Sequence, residues 1–415
     1  MTKVRFLALA AMTALLTACN GGSATPPPFP PAQQKPASGQ NVAAQSSAHS
    51  AIGHGTSHDV CGSAASGEAR CHAKIRDDVG SFGTAGPTGY NPADLQSAYA
   101  LPSSTAGAGQ TVAIVDAYDD PNAESDLAVY RSQFGLPACT TANGCFRKVN
   151  QTGGTTPPAA NASWSQEISL DLDMVSATCP NCHILLVEAS STSYANLGTA
   201  VNTAASLGAQ AISNSYGGSE FSGETADDQY YNHPGHAITV SSGDNGYGVE
   251  YPASSQYVTA VGGTSLSKAA NARGWTETVW SGAGSGCSAY EPQPTWQTTV
   301  TNITSRCAKR AVADVSAVAN PNTGVSVYDS YAYRGQSGWL VFGGTSVASP
   351  VIASVYALAG NGTVVTYGSF PYANTTSLND VTSGSNGSCG NLLCNGAAGW
   401  DGPTGLGTPN GTGSF

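Results

Sequence analysis

Short apolar runs alternate with longer helix-compatible segments along most of this chain. The apolar runs lie at 111–115, 183–188, 210–214, 237–241 and 257–261, and the helical segments at 166–177, 194–207 and 346–358. Such alternation is typical of a parallel sheet covered by helices on both faces. The predicted fold class is therefore α/β, with a mainly parallel central sheet, and in such sheets sites form beyond the carboxyl ends of the strands.

The N-terminus has the layout of an export signal. Residues 1–5 are positively charged, an apolar run covers 6–16, and small residues lead to Cys19. The run is too short to span a bilayer. The stretch 16–19 looks like the lipobox of bacterial lipoproteins, which would make Cys19 a lipidated mature N-terminus; an ordinary signal peptide with a chance cysteine is the alternative. We predict a signal peptide at 1–19 and a protein that is anchored to the cell envelope by lipid or secreted.

Residues 20–88 are rich in Pro, Ala, Ser, Gln and Gly and show no sustained apolar periodicity. This composition predicts a linker or a short propeptide. Nothing in it can bury a core of its own, although the segment from Cys61 to Cys71 has the character of local order. One domain is predicted at 89–415.

Composition narrows the possible partners. The chain is 40% hydrophobic, enough for a real core, but only 10% charged against a usual value of about 25%. A formal net charge of −11 provides no basic stripe for phosphate backbones or anionic lipids. We therefore expect no nucleic-acid partner, no membrane contact beyond the N-terminal anchor, and a monomer.

The cysteines fall in near neighbours once Cys19 is set aside. The pairs are Cys61/Cys71, Cys139/Cys145, Cys179/Cys182, Cys287/Cys307 and Cys389/Cys394. Local disulfides in an oxidising compartment explain this spacing. The Cys179-Pro-Asn-Cys182 pair also has the spacing of a redox motif or half of a zinc site.

Ser346 is a candidate nucleophile. It follows Gly343-Gly344-Thr345 and opens a predicted helix, whose first free N–H groups and positive dipole end can hold an oxyanion. The alternative is that Ser346 only caps the helix, as serine often does.

A serine nucleophile needs a base, and no histidine has a suitable partner motif: His54 lies in the linker, and His233 and His236 lie in a loop-like stretch. Two acids are the candidates for the base instead: Glu167 and Asp171 are spaced i, i+4, which places them on one face of a helix. Like charges placed so repel unless they share a proton, which makes a coupled pair useful for proton transfer. The alternative is a solvated acidic face.

Asp244 follows a predicted strand in the turn Ser241-Ser242-Gly243-Asp244. A protonated carboxylic acid there can donate a hydrogen bond to an oxyanion. The alternative is a turn aspartate that bonds its own backbone.

In this order the motifs resemble those of the sedolisins, the serine-carboxyl peptidases with a subtilisin-like fold, over 111–407. The resemblance implies that Ser346 attacks the scissile carbonyl, that Glu167 accepts its proton, and that Asp171 shares charge with Glu167. It also implies that Asp244 helps to bind the oxyanion and that Asp116 has a supporting role.

Two further segments match the same family. Asn214-Ser215-Tyr216-Gly217 corresponds to the segment that pairs with substrate backbone, which makes Ser215, Tyr216 and Gly217 candidate substrate-binding residues. Near the chain end the resemblance implies one calcium ion, and its candidate ligands are Asp380, Val381, Ala397, Gly399 and Asp401. The family usually has glycine where Ala397 stands, and without the resemblance residues 401–405 are simply a turn cluster. The family's large folded prosegment has no counterpart in the plain stretch 20–88.

The sequence thus predicts a calcium-dependent endopeptidase that cleaves proteins or peptides in acid through an acyl-enzyme. Acid activity follows from the base, because a carboxylate has a reference pKa of about 4.3, roughly two units below histidine. The alternatives are an inactive surface lipoprotein of the same fold with a binding role, and an esterase with a Ser-His-Asp triad, although no Gly-x-Ser-x-Gly motif here has a well-placed histidine.

Overall fold

A computed structural model describes residues 55–78 and 87–415, and all of these belong to one compact unit. The predicted signal peptide, Cys19 and His54 lie outside the described residues.

The described part of the chain contains nineteen strands, many of them short. They are β1 Ser57–Asp59, β2 Arg70–Cys71, β3 Lys74–Arg76, β4 Thr111–Ala117, β5 Phe146–Asn150, β6 His183–Ala189, β7 Ala211–Asn214, β8 Tyr216–Ser219, β9 Ala237–Ser241, β10 Glu250–Tyr251, β11 Thr259–Lys268, β12 Trp275–Val279, β13 Gly286–Cys287, β14 Ala311–Val312, β15 Val315–Val318, β16 Val325–Tyr333, β17 Gln336–Gly343, β18 Leu378–Asn379 and β19 Thr408–Pro409.

Seven α-helices accompany these strands in the described ranges. They are α1 Pro92–Ala98, α2 Ala123–Gln133, α3 Ala162–Thr178, α4 Tyr194–Ser206, α5 Thr301–Thr304, α6 Thr345–Ala359 and α7 Phe370–Ala373. Short 3-10 turns lie at Glu224–Tyr230, Thr295–Gln297, Pro321–Thr323, Gly362–Val364 and Tyr367–Ser369.

The centre of the fold is an eight-stranded sheet in the order β12-β11-β9-β7-β4-β6-β5, with β15 also paired to β11. All pairings are parallel except that of β12 with β11. Strands β4 and β9 are buried almost throughout, without alternation, because helices flank the sheet. Helix α4 packs on β6 and β4, and α6 packs on β7, β9 and β15. The predicted α/β class is confirmed.

Helix α3 is buried along nearly its whole length. The Asn161 side chain caps it by accepting hydrogen bonds from the N–H groups of Ser163 and Trp164. Every residue from 164 to 178 is buried, because α3 packs against α6, α2 and β16 at once. Polar side chains on this helix therefore lie inside the protein and need internal partners.

Residues 55–78, within the predicted linker, pair with the rest of the fold. Strands β1 and β3 extend a small sheet formed by β17 and β16, and β2 pairs with β8. The five near-neighbour disulfides are all present, and the Cys61–Cys71 bond closes the loop between β1 and β3. Cys179 is bonded to Cys182, so neither is free to bind a metal. Sequence patterning missed these strands because they are two or three residues long.

Candidate active site

Ser346 lies in the first turn of α6 and is fully buried. Its hydroxyl donates to the carbonyl oxygen of Ser215 at 3.2 Å, and Gly344, not Ser346, is the capping residue. Gly344 has φ +99°, and a Cβ there would lie 2.0 Å from His72 O and 2.6 Å from Asp244 Oδ2. Only glycine permits this close approach, so the turn before Ser346 brings His72 O and Asp244 Oδ2 close to each other.

Glu167 faces α6 from helix α3 and is completely buried, so the alternative of a solvated acidic face is wrong. Among the described residues neither carboxyl oxygen makes a hydrogen bond. Burial, followed by the charges of Asp171 and Asp116, raises the pKa of Glu167 well above its usual range, although the neighbouring Ser346 hydroxyl acts in the opposite direction. Glu167 is therefore a buried acid without a hydrogen bond in the described part of the chain, next to the candidate nucleophile.

Two more acids complete this buried group. Asp171, one helical turn after Glu167, accepts the Ser215 hydroxyl at 2.8 Å on both of its oxygens. Asp116 is the second-last residue of β4 and is fully buried, and both its oxygens lack partners in the described part of the chain. Burial raises the pKa of both Asp116 and Asp171 well above the usual range, and Asp171 adds to the shift of Asp116. Acids coupled in this way hold fewer charges than there are carboxyls.

Asp244 stands in the turn after β9, at the carboxyl end of the central sheet. Its Oδ1 accepts hydrogen bonds from Thr345 N–H at 2.7 Å and from Thr345 Oγ1 at 2.9 Å. Its Oδ2 has no partner within the described ranges and lies beside Gly344, which His72 O also approaches. Burial raises the pKa of Asp244 although His72, Lys74 and the Thr345 bonds act against it. A proton on Oδ2 would therefore lie on the side of Gly344 where a peptide carbonyl is found.

An extended segment of the chain crosses this site. Strand β2 pairs antiparallel with β8, with Arg70 opposite Gly217 and Cys71 opposite Tyr216. The next residue, His72, donates its N–H to Ser215 O at 3.1 Å and accepts the Ser346 N–H on its carbonyl oxygen at 3.1 Å. Residues 215–217 therefore pair with an extended segment of this chain, and a peptide carbonyl lies at the N–H of Ser346.

Two open clefts lie beside this segment. A cleft of about 520 Å³ is lined by residues that include Arg70, Gly218, Glu220 and Glu250. Another, of about 410 Å³, is lined by residues that include Lys74, Asp244 and Trp280.

Sequence reasoning missed His72 and Glu250. The His72 ring bonds Ser241 Oγ and Glu250 Oε2, and it does not contact the Ser346 hydroxyl. His233 and His236 bond Asn202 and the Ala209 carbonyl oxygen. In the described part of the molecule no histidine is placed as a base for Ser346. The sequence signals of local order near His72 were the Cys61/Cys71 spacing and the segment Ile75-Arg76-Asp77-Asp78.

The candidate calcium ligands converge on the loop before β19. Asp401 is fully buried; its Oδ1 accepts from Thr404, and its Oδ2 accepts from Ala397 N–H at 3.0 Å. Asp380 Oδ2 accepts from Gly399 N–H at 2.9 Å. Burial above all, with Asp380 contributing, raises the pKa of Asp401 to about 7. No group of three or more His, Cys, Asp or Glu side chains is arranged for a metal in residues 55–78 or 87–415.

Comparison with known proteins identifies the family. The model of the subtilase family matches residues 142–364. The chain belongs to the subtilase family. It is 30% identical over 370 residues to kumamolisin from Bacillus sp. (strain MN-32), and the aligned region covers 79% of this chain and 63% of kumamolisin. It is also 30% identical over 366 residues to sedolisin from Pseudomonas sp. (strain 101), covering 77% and 60% of the two chains.

This subtilase therefore spans about 60% of the length of the curated relatives that it matches. Its fold is similar to that of Pseudomonas sedolisin, a serine-carboxyl proteinase solved with two molecules of pseudo-iodotyrostatin, with TM-score 0.65 and 27% identity over 78% of this chain and 96% of that one. A psychrophilic protease, S41, shares the fold with TM-score 0.51 at 19% identity over 79% and 99% of the two chains. The predicted resemblance to sedolisins is confirmed. No helix in the described ranges is both long and apolar enough to cross a membrane.

Proposed function

We propose that this subtilase is a serine-carboxyl endopeptidase that hydrolyses peptide bonds in acid through an acyl-enzyme on Ser346. One observation carries the proposal: a peptide carbonyl accepts the Ser346 N–H at 3.1 Å, while the unpaired, buried Glu167 stands beside the Ser346 hydroxyl. The relatives named above, which are proteinases by name or description, support the same chemistry.

In the first half of the reaction Ser346 Oγ attacks the carbonyl carbon of the scissile bond and passes its proton to Glu167. Negative charge then develops on the carbonyl oxygen, where the Ser346 N–H and a proton on Asp244 Oδ2 stabilise it. The intermediate collapses as the C–N bond breaks, and Glu167 returns the proton to the leaving amine. Water repeats the sequence on the acyl-enzyme, giving the carboxylic acid and free Ser346.

Asp171 and Asp116 support the base. The ionisations of Glu167, Asp171 and Asp116 are coupled, so the three acids do not all ionise at the same pH. The reaction needs an ionised base and a protonated Asp244 at the same time. Raising the pH through the raised pKa of Asp244 removes that donor, so activity falls on the alkaline side.

The chain end fits a calcium ion that stabilises the fold. Asp380 and Asp401 supply carboxylate oxygens, and the backbone carbonyls of Val381, Ala397 and Gly399 complete an all-oxygen set of the kind that Ca²⁺ prefers. Burial above all raises the pKa of Asp401 to about 7, and a bound divalent cation would favour its ionised form. Such an ion would hold these loops together.

The remaining proposals concern where the enzyme works. We propose that it acts as an exported monomer on proteins or peptides, with Cys19 as the lipid anchor. Replacement of Cys19 by alanine should abolish incorporation of labelled palmitate and release the protein into the medium. Secretion of the wild type without any lipid would contradict the anchor.

Hydrolysis of denatured casein near pH 4 tests the activity, with Ser346→Ala as the comparison. We expect the substitution to lower the rate by about 10⁴-fold or more, since a nucleophile and its base act as a unit. A covalent serine probe should label the peptide containing Ser346. Casein hydrolysis that survives Ser346→Ala would disprove the mechanism, and absence of both hydrolysis and labelling would favour an inactive binding protein of the same fold.

A further inference from the structure

His72 occupies the position next to the candidate nucleophile. Its N–H donates to Ser215 O, and its carbonyl oxygen accepts the Ser346 N–H. The strand that precedes it, β2, pairs antiparallel with β8. A substrate bound in the same way would have its scissile carbonyl where the His72 carbonyl lies. The pocket that holds the His72 side chain is therefore the pocket for the residue immediately before the scissile bond.

This pocket is built for an imidazole ring. The ring is fully buried, with Nδ1 2.8 Å from Ser241 Oγ and Nε2 2.8 Å from Glu250 Oε2. A hydroxyl oxygen and a carboxylate can both accept, so a doubly protonated imidazole satisfies both contacts at once. A histidine residue in acid solution carries that charge.

The walls fix the size of the pocket and the position of Glu250. A Cβ on Gly217 would lie 2.7 Å from His72 Cε1, so the ring stacks directly on backbone. Asn245 Nδ2 donates to Glu250 Oε1 at 3.0 Å, and Gly243 packs behind the same carboxyl group.

A negative charge on Glu250 suits the binding of a protonated imidazole. Burial opposes its ionisation, but the charge of His72 and the bonds from His72 and Asn245 outweigh burial, so the pKa of Glu250 lies below its ordinary value. An apolar side chain in the pocket would take away the bond that His72 makes to Glu250 Oε2 and the bond that it makes to Ser241 Oγ, and losing bonds at such buried positions is costly.

We propose that Glu250, with Ser241, makes this cleft select histidine as the residue immediately before the scissile bond. The inference rests on the proposed peptidase function and adds the substrate class that the site accepts. The ligand is a peptide whose imidazole side chain donates to the carboxylate and the hydroxyl at the base of the pocket.

The test compares peptides that copy residues 68–75, with serine in place of cysteine 71 and with His, Lys, Gln or Leu at the position of residue 72. Cleavage is measured as kcat/KM in acid with the full chain. Residues 70–73 of the protein compete with every peptide for the site and lower each kcat/KM by the same factor. The ratios of kcat/KM between peptides are therefore unaffected. We expect the His peptide to exceed the Leu peptide by about 10²-fold, with Lys and Gln between them.

Variants of the pocket then assign the preference. Glu250→Gln should reduce the His-to-Leu ratio by about tenfold or more, and Glu250→Asp, which keeps the charge, should retain more of it. Glu124→Gln is the matched control. Glu124 lies on helix α2 and accepts a hydrogen bond from Thr141, so this substitution should leave the His-to-Leu ratio unchanged. A general structural defect would lower all rates together without changing their ratio.

The outcomes separate this inference from the proposed function. Cleavage that depends on Ser346 but favours Leu, or a ratio that Glu250→Gln leaves intact, would overturn the inference and leave the peptidase function standing. If no peptide is cleaved in a manner that depends on Ser346, the proposed function is wrong and the inference falls with it.

Discussion

Two buried groups of charged residues in this protein are opposite in character. At one, the Arg310 guanidinium donates to both oxygens of Asp314, at 2.8 and 2.5 Å. Tyr372 OH at 2.7 Å and Ala260 N–H at 2.8 Å also donate to Asp314. Every oxygen of this carboxylate is paired, although both charged side chains are fully buried.

At the other group, around Ser346, the acids are left unpaired. Both oxygens of Glu167, both of Asp116, and one of Asp244 lack hydrogen bonds among the described residues. Unpaired buried carboxyls cost stability, and they persist where a proton must move or a substrate must bind. The first group holds the fold together, whereas the second has unused bonding capacity that the proposed reaction needs.

The comparison is sharpest at Glu167, where we expect the largest effect. Glu167→Gln should lower kcat/KM by about 10²- to 10⁴-fold, since it removes the proton acceptor. It should not lower the melting temperature, because the amide replaces an acid that has no partner. Kinetics and thermal denaturation of the same preparation check both points, and a destabilised but active variant would make Glu167 a structural residue.

At the paired group the expected result is reversed. Arg310→Met should lower the free energy of unfolding by about 3–5 kcal/mol, because it leaves Asp314 buried without its cation. Urea denaturation measures this loss. Arg306→Met is the control, since Arg306 bonds only Ser305 at an exposed site, and its effect should stay below about 0.5 kcal/mol. Equal effects of the two substitutions would contradict the structural role of Arg310.

Calcium removal probes a third acidic group, which we propose to be paired by a metal. Chelation should lower the free energy of unfolding by about 2.7 kcal/mol if free calcium stood at a hundredfold excess over its Kd. Asp401→Asn should remove this dependence while leaving the Ser346 probe reaction in place. Indifference of the wild type to chelation would refute the metal site.

The smallest expected effect is the change of the free energy of unfolding with pH, which comes from the buried acids Asp116, Glu167 and Asp171. Their folded pKa values are raised, so their contribution to stability is complete below about pH 4, near the unfolded pKa, and is lost as the pH rises through the folded values. The free energy of unfolding should therefore fall from pH 4 toward pH 8, by at most about 1.4 kcal/mol per pH unit for each proton. The slope should be shallower in Glu167→Gln/Asp171→Asn, and a wild type that becomes more stable over this range would show that the acids are paired.

Much of this organisation follows from the order of residues alone. The strands at 111–117, 183–189 and 237–241 and the helices at 162–178 and 345–359 lie where apolar patterning predicted them, within a few residues. The disulfides were predictable because each joins cysteines close in the chain. The acids and Ser346 were found because their spacing is local: one helical turn separates Glu167 from Asp171, and glycines directly precede Ser346.

Other features depend on contacts between distant segments. His72 meets Ser241 and Glu250 across 169 and 178 residues, and its carbonyl oxygen meets Ser346 from still further away. The composition of 20–88 predicted a linker, yet residues 55–78 are ordered because their short strands borrow partners from β8 and β17.

The sequence by itself determined the α/β fold, the order of the candidate catalytic residues and the near-neighbour disulfides, since periodicity and spacing are local properties. Only the tertiary structure decided that Glu167 is buried without a hydrogen bond among the described residues while Asp314 is fully paired, because both are acids in buried segments and differ only in what folding brings beside them. It also decided that His72 fills the pocket of Glu250, since the walls of that pocket come from strands that meet only in the folded protein.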